Sequence, residues 1–153
     1  LGEDFLIPYL TPDEYLAFVG RSFGLGAVEI AAARHDGDGL IDFDGSAKLI
    51  RQLSTGLQQK VGIAGALLAS SPTLVLDEPF ANLDPPSCLA LVDQLRTRHA
   101  SSGATHIVSS HNLEYVDDIA DRVLILDQGR IIREETEHTQ ASLRRHFTGA
   151  GRR

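Results

Sequence analysis

Apolar and polar positions alternate at helical spacing through the first half of the chain. Thr11 is the expected N-cap of the first helix, because Pro12 occupies the first helical position and Glu14 can complete a capping box. Apolar side chains then recur every three or four residues. The same pattern predicts helices over residues 28–35, 58–69, 86–99 and 113–120, and it favours a short helix within 40–52.

The period changes after Pro72. The run 73–76 is short, apolar and partly β-branched, which predicts a buried strand ending in Asp77 and Glu78. Further strands are expected at 106–110, at 123–126 and at 131–132. Strands that alternate with helices predict a parallel sheet in an α/β layer architecture. Ligands of such sheets bind beyond the strand carboxyl ends, so Asp77, Glu78 and His111 are candidates for a ligand site.

Composition narrows the classes of function. The chain has 153 residues, 42% of them hydrophobic, with 14 Lys+Arg and 21 Asp+Glu for a net charge of −7, a balance that argues against general nucleic-acid affinity. No apolar run is as long as a membrane span. Cys88, the single cysteine, excludes an intramolecular disulfide and is expected to be a buried hydrophobe.

The candidate site combines carboxylates with a helix start. Adjacent carboxylates at a strand end point in different directions, so one of Asp77 and Glu78 can hold a hard cation while the other faces an attacking water. Ser54 is a good N-cap, and Gly56 would let backbone N–H groups approach an anion at the positive end of the helix. Asp84 lies in a turn, where its carboxylate is expected near a neighbouring subunit.

Four motifs occur in a characteristic order: LSTG-LQQK, LVLDEP, ANLD and a strand that ends in SSH. This order resembles the nucleotide-binding domain of ATP-binding cassette (ABC) transporters, from about Phe5 to Ile132. By this resemblance, residues 53–57 are the signature motif, 73–77 the Walker B strand and 81–84 the D-loop. The fold implied is α/β, a three-layer P-loop NTPase-type parallel sheet, partial here, with a helical subdomain.

The resemblance also implies a role for each of six residues in a site for ATP and Mg²⁺. Two are catalytic: the catalytic glutamate Glu78, which polarises water, and the switch histidine His111, which senses the γ-phosphate. Asp77 holds Mg²⁺ through water. The remaining three bind or face the ATP of the opposite subunit: Ser54, Gly56 and Asp84.

An arrangement in the cell follows from the same resemblance. The expected division is a helical subdomain after the Q-loop region at 1–52, the catalytic core at 53–135 and a basic C-terminal tail at 136–153. The tail is expected to be a solvated terminus, or a contact with an acidic membrane or partner surface. The partners implied are a transmembrane permease, contacted by residues 11–51, and a second ATPase subunit in a head-to-tail dimer, with no nucleic acid. The expected location is peripheral, on the cytoplasmic side of the cell membrane.

The sequence departs from the family pattern at several points. Thr55 replaces the first glycine of the signature, Leu57 stands where glutamine is typical, and the Q-loop glutamine has no clear counterpart. A phosphate loop of the form G-x-x-x-x-G-K-[ST] is missing, since neither Lys48 nor Lys60 has that context. With no methionine in the chain, we expect it to be a fragment of a longer protein. Because the phosphate loop is missing, we expect that fragment to be the later part of an ATPase and inactive by itself.

Two alternatives remain at this stage. The first is the late half of a chromosome-maintenance or DNA-repair ATPase head, against which residues 1–52 show no coiled-coil heptads. The second is a degenerate, non-catalytic ABC partner, against which the retained Glu78 and His111 count.

Overall fold

A computed structural model describes residues 6–36, 48–137 and 139–149. Most of the helix favoured within 40–52 lies outside these ranges, as do Phe5 and the terminal residues Arg152 and Arg153. The chain divides into two compact units, residues 1–109 and residues 110–153.

Three α-helices are described in the first part of the first unit. Helix α1 spans Pro12–Ser22, α2 spans Ala27–Asp36, and α3 spans Thr55–Leu68 after one 3₁₀ turn at Ile50–Gln52. The predicted capping box is confirmed: the Thr11 N–H donates to Glu14 Oε2 at 2.8 Å, and the Glu14 N–H donates to Thr11 Oγ1 at 3.3 Å. These two bonds satisfy donors that the first turn of a helix leaves unpaired, and so they fix where α1 starts.

The three helices share an apolar core. Burying a large aliphatic side chain contributes about 1.5–3 kcal/mol. The core is therefore what holds α3, which carries the signature motif at its N-terminus, in place against α1 and α2. Its members are Tyr15, Leu16, Ile30, Ile50, Val61, Ala64 and Leu68.

The second part of this unit is a strand–helix–strand segment. Strand β1 spans Thr73–Asp77, α4 spans Pro85–Ser102 and β2 spans Thr105–Ser109. The two strands are parallel, as predicted, with Asp77 and Ser109 as partners in the register. Helix α4 ends at Gly103, whose φ of 67° is the left-handed conformation that stops a helix. Cys88 on α4 is 3% exposed, which confirms the expected burial.

The strand predicted to be buried at 73–76 is buried on one of its two faces. Leu74 and Leu76 are buried, whereas Val75 between them is 61% exposed. On β2, Ile107 is likewise 56% exposed. Because successive side chains of a strand point to opposite faces, one face of the pair is packed and the other is open within the described part of the chain.

The described residues of the second unit form two helices and a hairpin. Helix α5 spans Leu113–Ile119, β3 spans Val123–Asp127, β4 spans Arg130–Glu135 and α6 spans Gln140–Gly149. The predicted strand, turn and strand are confirmed, and β3 and β4 pair antiparallel in a sheet of their own among the described residues. Gln128 and Gly129 both have positive φ, as a two-residue hairpin turn requires. Of the helices described, none combines the length and apolar character needed to cross a membrane.

A histidine on β2 makes the stability of the first unit dependent on pH. Burial, and then the nearby Arg98 and His99, lower the pKa of His106 from its ordinary 6.5, and its Nε2 atom is buried with no partner among the described residues. His106 therefore binds a proton more readily in the unfolded chain than in the folded one. The stability that neutral His106 contributes is present above pH 6.5 and is lost as the pH falls below this value. We expect the urea concentration at the unfolding midpoint to decrease when the pH is lowered from about 7.5 to about 5.5. The decrease should be smaller in the His106→Gln variant. Equal pH dependence in the variant and the wild type would contradict this.

Candidate functional site

The two adjacent carboxylates lie where β1 ends, as the sequence predicted. Ser109, the register partner of Asp77, donates its hydroxyl hydrogen to Asp77 Oδ1. The same hydroxyl oxygen accepts from the Glu78 backbone N–H at 2.9 Å. Sequence reasoning did not single out Ser109, because the register of the parallel pair sets which residue lies opposite Asp77.

Glu78 has a left-handed backbone. Its φ is 44°, a region that costs a residue with a side chain about 1–3 kcal/mol and that occurs often at functional sites. Its carbonyl accepts from the Ala81 N–H at 3.1 Å and from Gln59 Nε2 at 3.5 Å. Hydrogen bonds to both the N–H and the C=O of Glu78 therefore hold this conformation, and their partners include Ser109 on β2 and Gln59 on α3.

The signature motif forms the start of α3. Ser54 is the N-cap, as predicted, and its hydroxyl accepts from the Leu57 N–H at 3.4 Å. Gly56 packs against the D-loop: a Cβ atom built on it would lie 2.5 Å from the carbonyl oxygen of Asn82. The structure thus adds a reason for glycine at this position, because only a residue without a side chain leaves room for that carbonyl.

An ion pair joins the D-loop to the same helix. Lys60 Nζ lies 2.9 Å from Asp84 Oδ2, and Asp84 Oδ1 also accepts from the Ser87 N–H at 3.0 Å as the N-cap of α4. The Lys60 ammonium and the two Ser87 donors hold the pKa of the Asp84 carboxyl well below its usual range. Asp84 is therefore charged at any physiological pH, and it fixes the D-loop between α3 and α4.

The contacts of α3 follow helical spacing. Gly56 and Lys60 are four residues apart, and Gln59 lies next to Lys60, so all three project toward neighbouring parts of one helix face. Sequence reasoning treated Lys60 only as a lysine outside a phosphate loop. The four-residue spacing of Gly56 and Lys60 indicates that they share a helix face, but it does not reveal which loop packs on that face.

The structure distributes the six predicted site residues over both units. The first unit holds Ser54 and Gly56 at the start of α3, where Gly56 packs against the D-loop that ends in Asp84. It also holds Asp77 and Glu78 at the end of β1. His111 belongs to the second unit, where it precedes Asn112, the N-cap of α5, and has an exposed side chain.

Comparison with known proteins supports the family resemblance that the order of the four motifs indicated. The family described as "AAA domain, putative AbiEii toxin, Type IV TA system" matches residues 34–117. The SkfA peptide export ATP-binding protein SkfE of Bacillus subtilis (strain 168) is 32% identical over 133 residues, which cover 86% of this chain and 55% of SkfE.

Solved structures share the fold. The ATP-binding subunit of an ABC transporter superposes with a TM-score of 0.73 at 28% identity, covering 96% of this chain and 60% of that one. A dimeric ATP-binding cassette in a post-hydrolysis state with ADP and Pi superposes with a TM-score of 0.75 at 23% identity, covering 89% of this chain and 60% of that one. The chain thus spans between half and two thirds of the length of these proteins.

Fold and sequence together define an α/β domain of the P-loop NTPase class. Within that class the chain belongs to the AAA-domain family that matches residues 34–117, and it corresponds to part of an ATP-binding domain of the ABC transporter type. The recognition made from the four ordered motifs is confirmed.

Proposed function

We propose that this chain supplies the signature, Walker B, D-loop and switch-histidine parts of an ABC ATPase that couples ATP hydrolysis to transport across a membrane. The observation that carries the proposal is the joining, within one unit, of the Asp77–Glu78 strand end to the signature helix through the D-loop. Phosphoryl transfer is catalysed almost entirely by positioning and electrostatics, so rigid links between these motifs suit that reaction.

Each predicted residue has a defined task in this proposal. The Glu78 carboxylate orients and polarises the attacking water, and His111 donates a hydrogen bond to the terminal phosphate. The Ser54 hydroxyl and the N–H groups at the start of α3 bind phosphate oxygens of the ATP held by the opposite subunit. The Asp84 carboxylate holds the D-loop at that interface through Lys60.

Asp77 is the proposed Mg²⁺ residue. Its carboxylate is exposed, and its Oδ1 atom already accepts from Ser109, which leaves Oδ2 to face a ligand. Mg²⁺ usually combines one or two carboxylates with waters and substrate phosphates, so a single hard oxygen at a strand end fits the ion. When bound, Mg²⁺ neutralises phosphate charge.

The phosphate loop must come from a segment other than these residues. No G-x-x-x-x-G-K-[ST] motif occurs in the chain, and the relatives that it matches are longer. We therefore propose that residues 1–52 act as a helical subdomain and residues 53–135 as the later catalytic core, with 136–153 as a basic tail. A P-loop-bearing segment completes the ATP site.

The proposed partners are a membrane permease and a second ATPase subunit in head-to-tail arrangement, on the cytoplasmic side of the membrane. The names of the relatives support this, since SkfE is an ATP-binding protein of peptide export and one structural neighbour is dimeric. Within residues 11–51, the side chains of Phe18, Phe23 and Val28 are 54%, 60% and 84% exposed. These apolar side chains suit a contact with the permease.

Hydrolysis provides the test. We expect the isolated chain to show no ATPase activity, because its ATP site lacks the phosphate loop. Assembly with the P-loop-bearing segment should produce turnover, and Glu78→Gln should reduce it by at least about 100-fold, within the range for loss of general base catalysis. Glu134→Gln is the matched control, because Glu134 is an exposed residue of the hairpin paired with Arg122.

Two outcomes would contradict the proposal in different ways. Turnover by the isolated chain, abolished by Glu78→Gln, would show that it does not need a separate phosphate loop. Full turnover of the assembled Glu78→Gln variant would instead favour the non-catalytic partner, whose signature face only completes the site of another subunit.

A further inference from the structure

Ser109 contacts both members of the Asp77–Glu78 pair. We propose that Ser109 is a positioning residue that fixes the Asp77 carboxylate and the Glu78 backbone together; this inference rests on the proposed function of that pair. The motif pattern gives this serine no role beyond its place in the strand that ends in SSH. The positioning role follows from the register, in which Ser109 lies directly opposite Asp77.

The direction of the hydrogen bonds makes this contact specific. The Glu78 N–H donates to Ser109 Oγ at 2.9 Å, which occupies a lone pair of the hydroxyl and leaves its single hydrogen for another acceptor. That acceptor is Asp77 Oδ1. The hydroxyl therefore has a single orientation, and it determines which carboxylate oxygen of Asp77 remains available to a cation.

The same hydroxyl stabilises a strained backbone. Glu78 keeps its φ of 44° with its N–H bonded to Ser109 and its carbonyl bonded to Gln59 and Ala81. Without the serine hydroxyl, the N–H loses its described acceptor while the conformational cost stays. The glutamate would then lose part of the positioning that phosphoryl transfer requires.

Residues that hydrogen-bond to metal ligands commonly change metal affinity or activity by about 10–100-fold when they are replaced. We therefore expect Ser109→Ala to weaken Mn²⁺ binding about tenfold in the ATPase assembled with its P-loop-bearing segment and ATP. Electron paramagnetic resonance of free Mn²⁺ measures this without any turnover. Ser109→Thr keeps the hydroxyl and should stay within about threefold of the wild type, a margin well inside that range.

A second measurement uses the 153-residue chain alone. Amide hydrogen exchange of Glu78, followed by NMR, should become faster in Ser109→Ala and stay slow in Ser109→Thr, because the bond at stake is the Glu78 N–H itself. Thr105→Ala is the matched control: Thr105 is an exposed hydroxyl residue on the same face of β2, and its register partner is Thr73. It should leave Mn²⁺ affinity, exchange and melting temperature unchanged.

The outcomes separate this inference from the proposed function. Ser109→Ala with wild-type Mn²⁺ affinity and wild-type exchange overturns it, as does an equal loss in Thr105→Ala. If the wild-type assembly binds no Mn²⁺ with ATP, the proposed function fails. The exchange rate of Glu78 then decides by itself whether Ser109 positions the pair: faster exchange in Ser109→Ala supports it, and unchanged exchange overturns it.

Discussion

Replacing Gly56 by alanine is expected to displace the D-loop from the signature helix. The added Cβ would lie 2.5 Å from the Asn82 carbonyl oxygen, far inside contact distance, and a backbone atom cannot rotate away as a flexible side chain can. Overpacking of this kind costs about 1–3 kcal/mol. We expect a loss of stability of that size, measured by urea denaturation of the chain.

The loss of ATPase activity in the assembled protein should be larger than the loss of stability implies. The D-loop is tied to α3 by Lys60 and is followed by α4, so moving Asn82 also moves Asp84. A displacement of about 1 Å in a group that positions substrate can reduce turnover about 100-fold. We expect a reduction of that order for Gly56→Ala.

Gly62→Ala is the matched control in the same helix. A Cβ at Gly62 would lie 3.8 Å from the Leu6 side chain, an ordinary contact. Because alanine is favoured over glycine in a helix interior by about 0.8–1.0 kcal/mol, this variant should be more stable than the wild type. If Gly56→Ala were as stable and as active as Gly62→Ala, the proposed close approach of Asn82 to α3 would be wrong.

Local signals in the sequence were sufficient for most elements of the fold. The capping box at Thr11, the N-cap at Ser54 and the apolar run before Asp77 each predicted an element close to its observed start or end. These signals are local because backbone groups at helix ends and strand ends are satisfied by residues a few positions away. The order of the motifs then identified the family.

Contacts between distant segments could not be predicted in this way. The approach of Asn82 to Gly56 and the bond between Ser109 and Asp77 join residues 26 and 32 positions apart. The first depends on how the D-loop packs on α3 and the second on how β2 pairs with β1, and neither is encoded as a local pattern in one sequence. The site residues that sequence reasoning missed are of this kind.

Which face of β1 is buried could not be predicted from the sequence either. The run 73–76 is apolar at almost every position, so the pattern alone does not distinguish its two faces. The structure separates them, with Leu76 1% exposed and Val75 61% exposed.

This difference gives a second large expected effect. Leu76→Ala removes a fully buried side chain from the strand that carries Asp77, and such changes cost about 2–5 kcal/mol because a cavity remains. Val75→Ala, one position away, should cost no more than about 1 kcal/mol, the span of strand propensities. Urea denaturation of both variants of the chain measures the difference, and equal costs would contradict a one-sided strand.

The same pair of variants can then be measured after assembly with the P-loop-bearing segment. The cost of Leu76→Ala should not change, because its surroundings already lie within the chain. If the loss of unfolding free energy in Val75→Ala rises toward that in Leu76→Ala, the added segment covers the open face of β1. A free-energy loss for Val75→Ala that stays small would mean that this face remains open to solvent in the assembled protein.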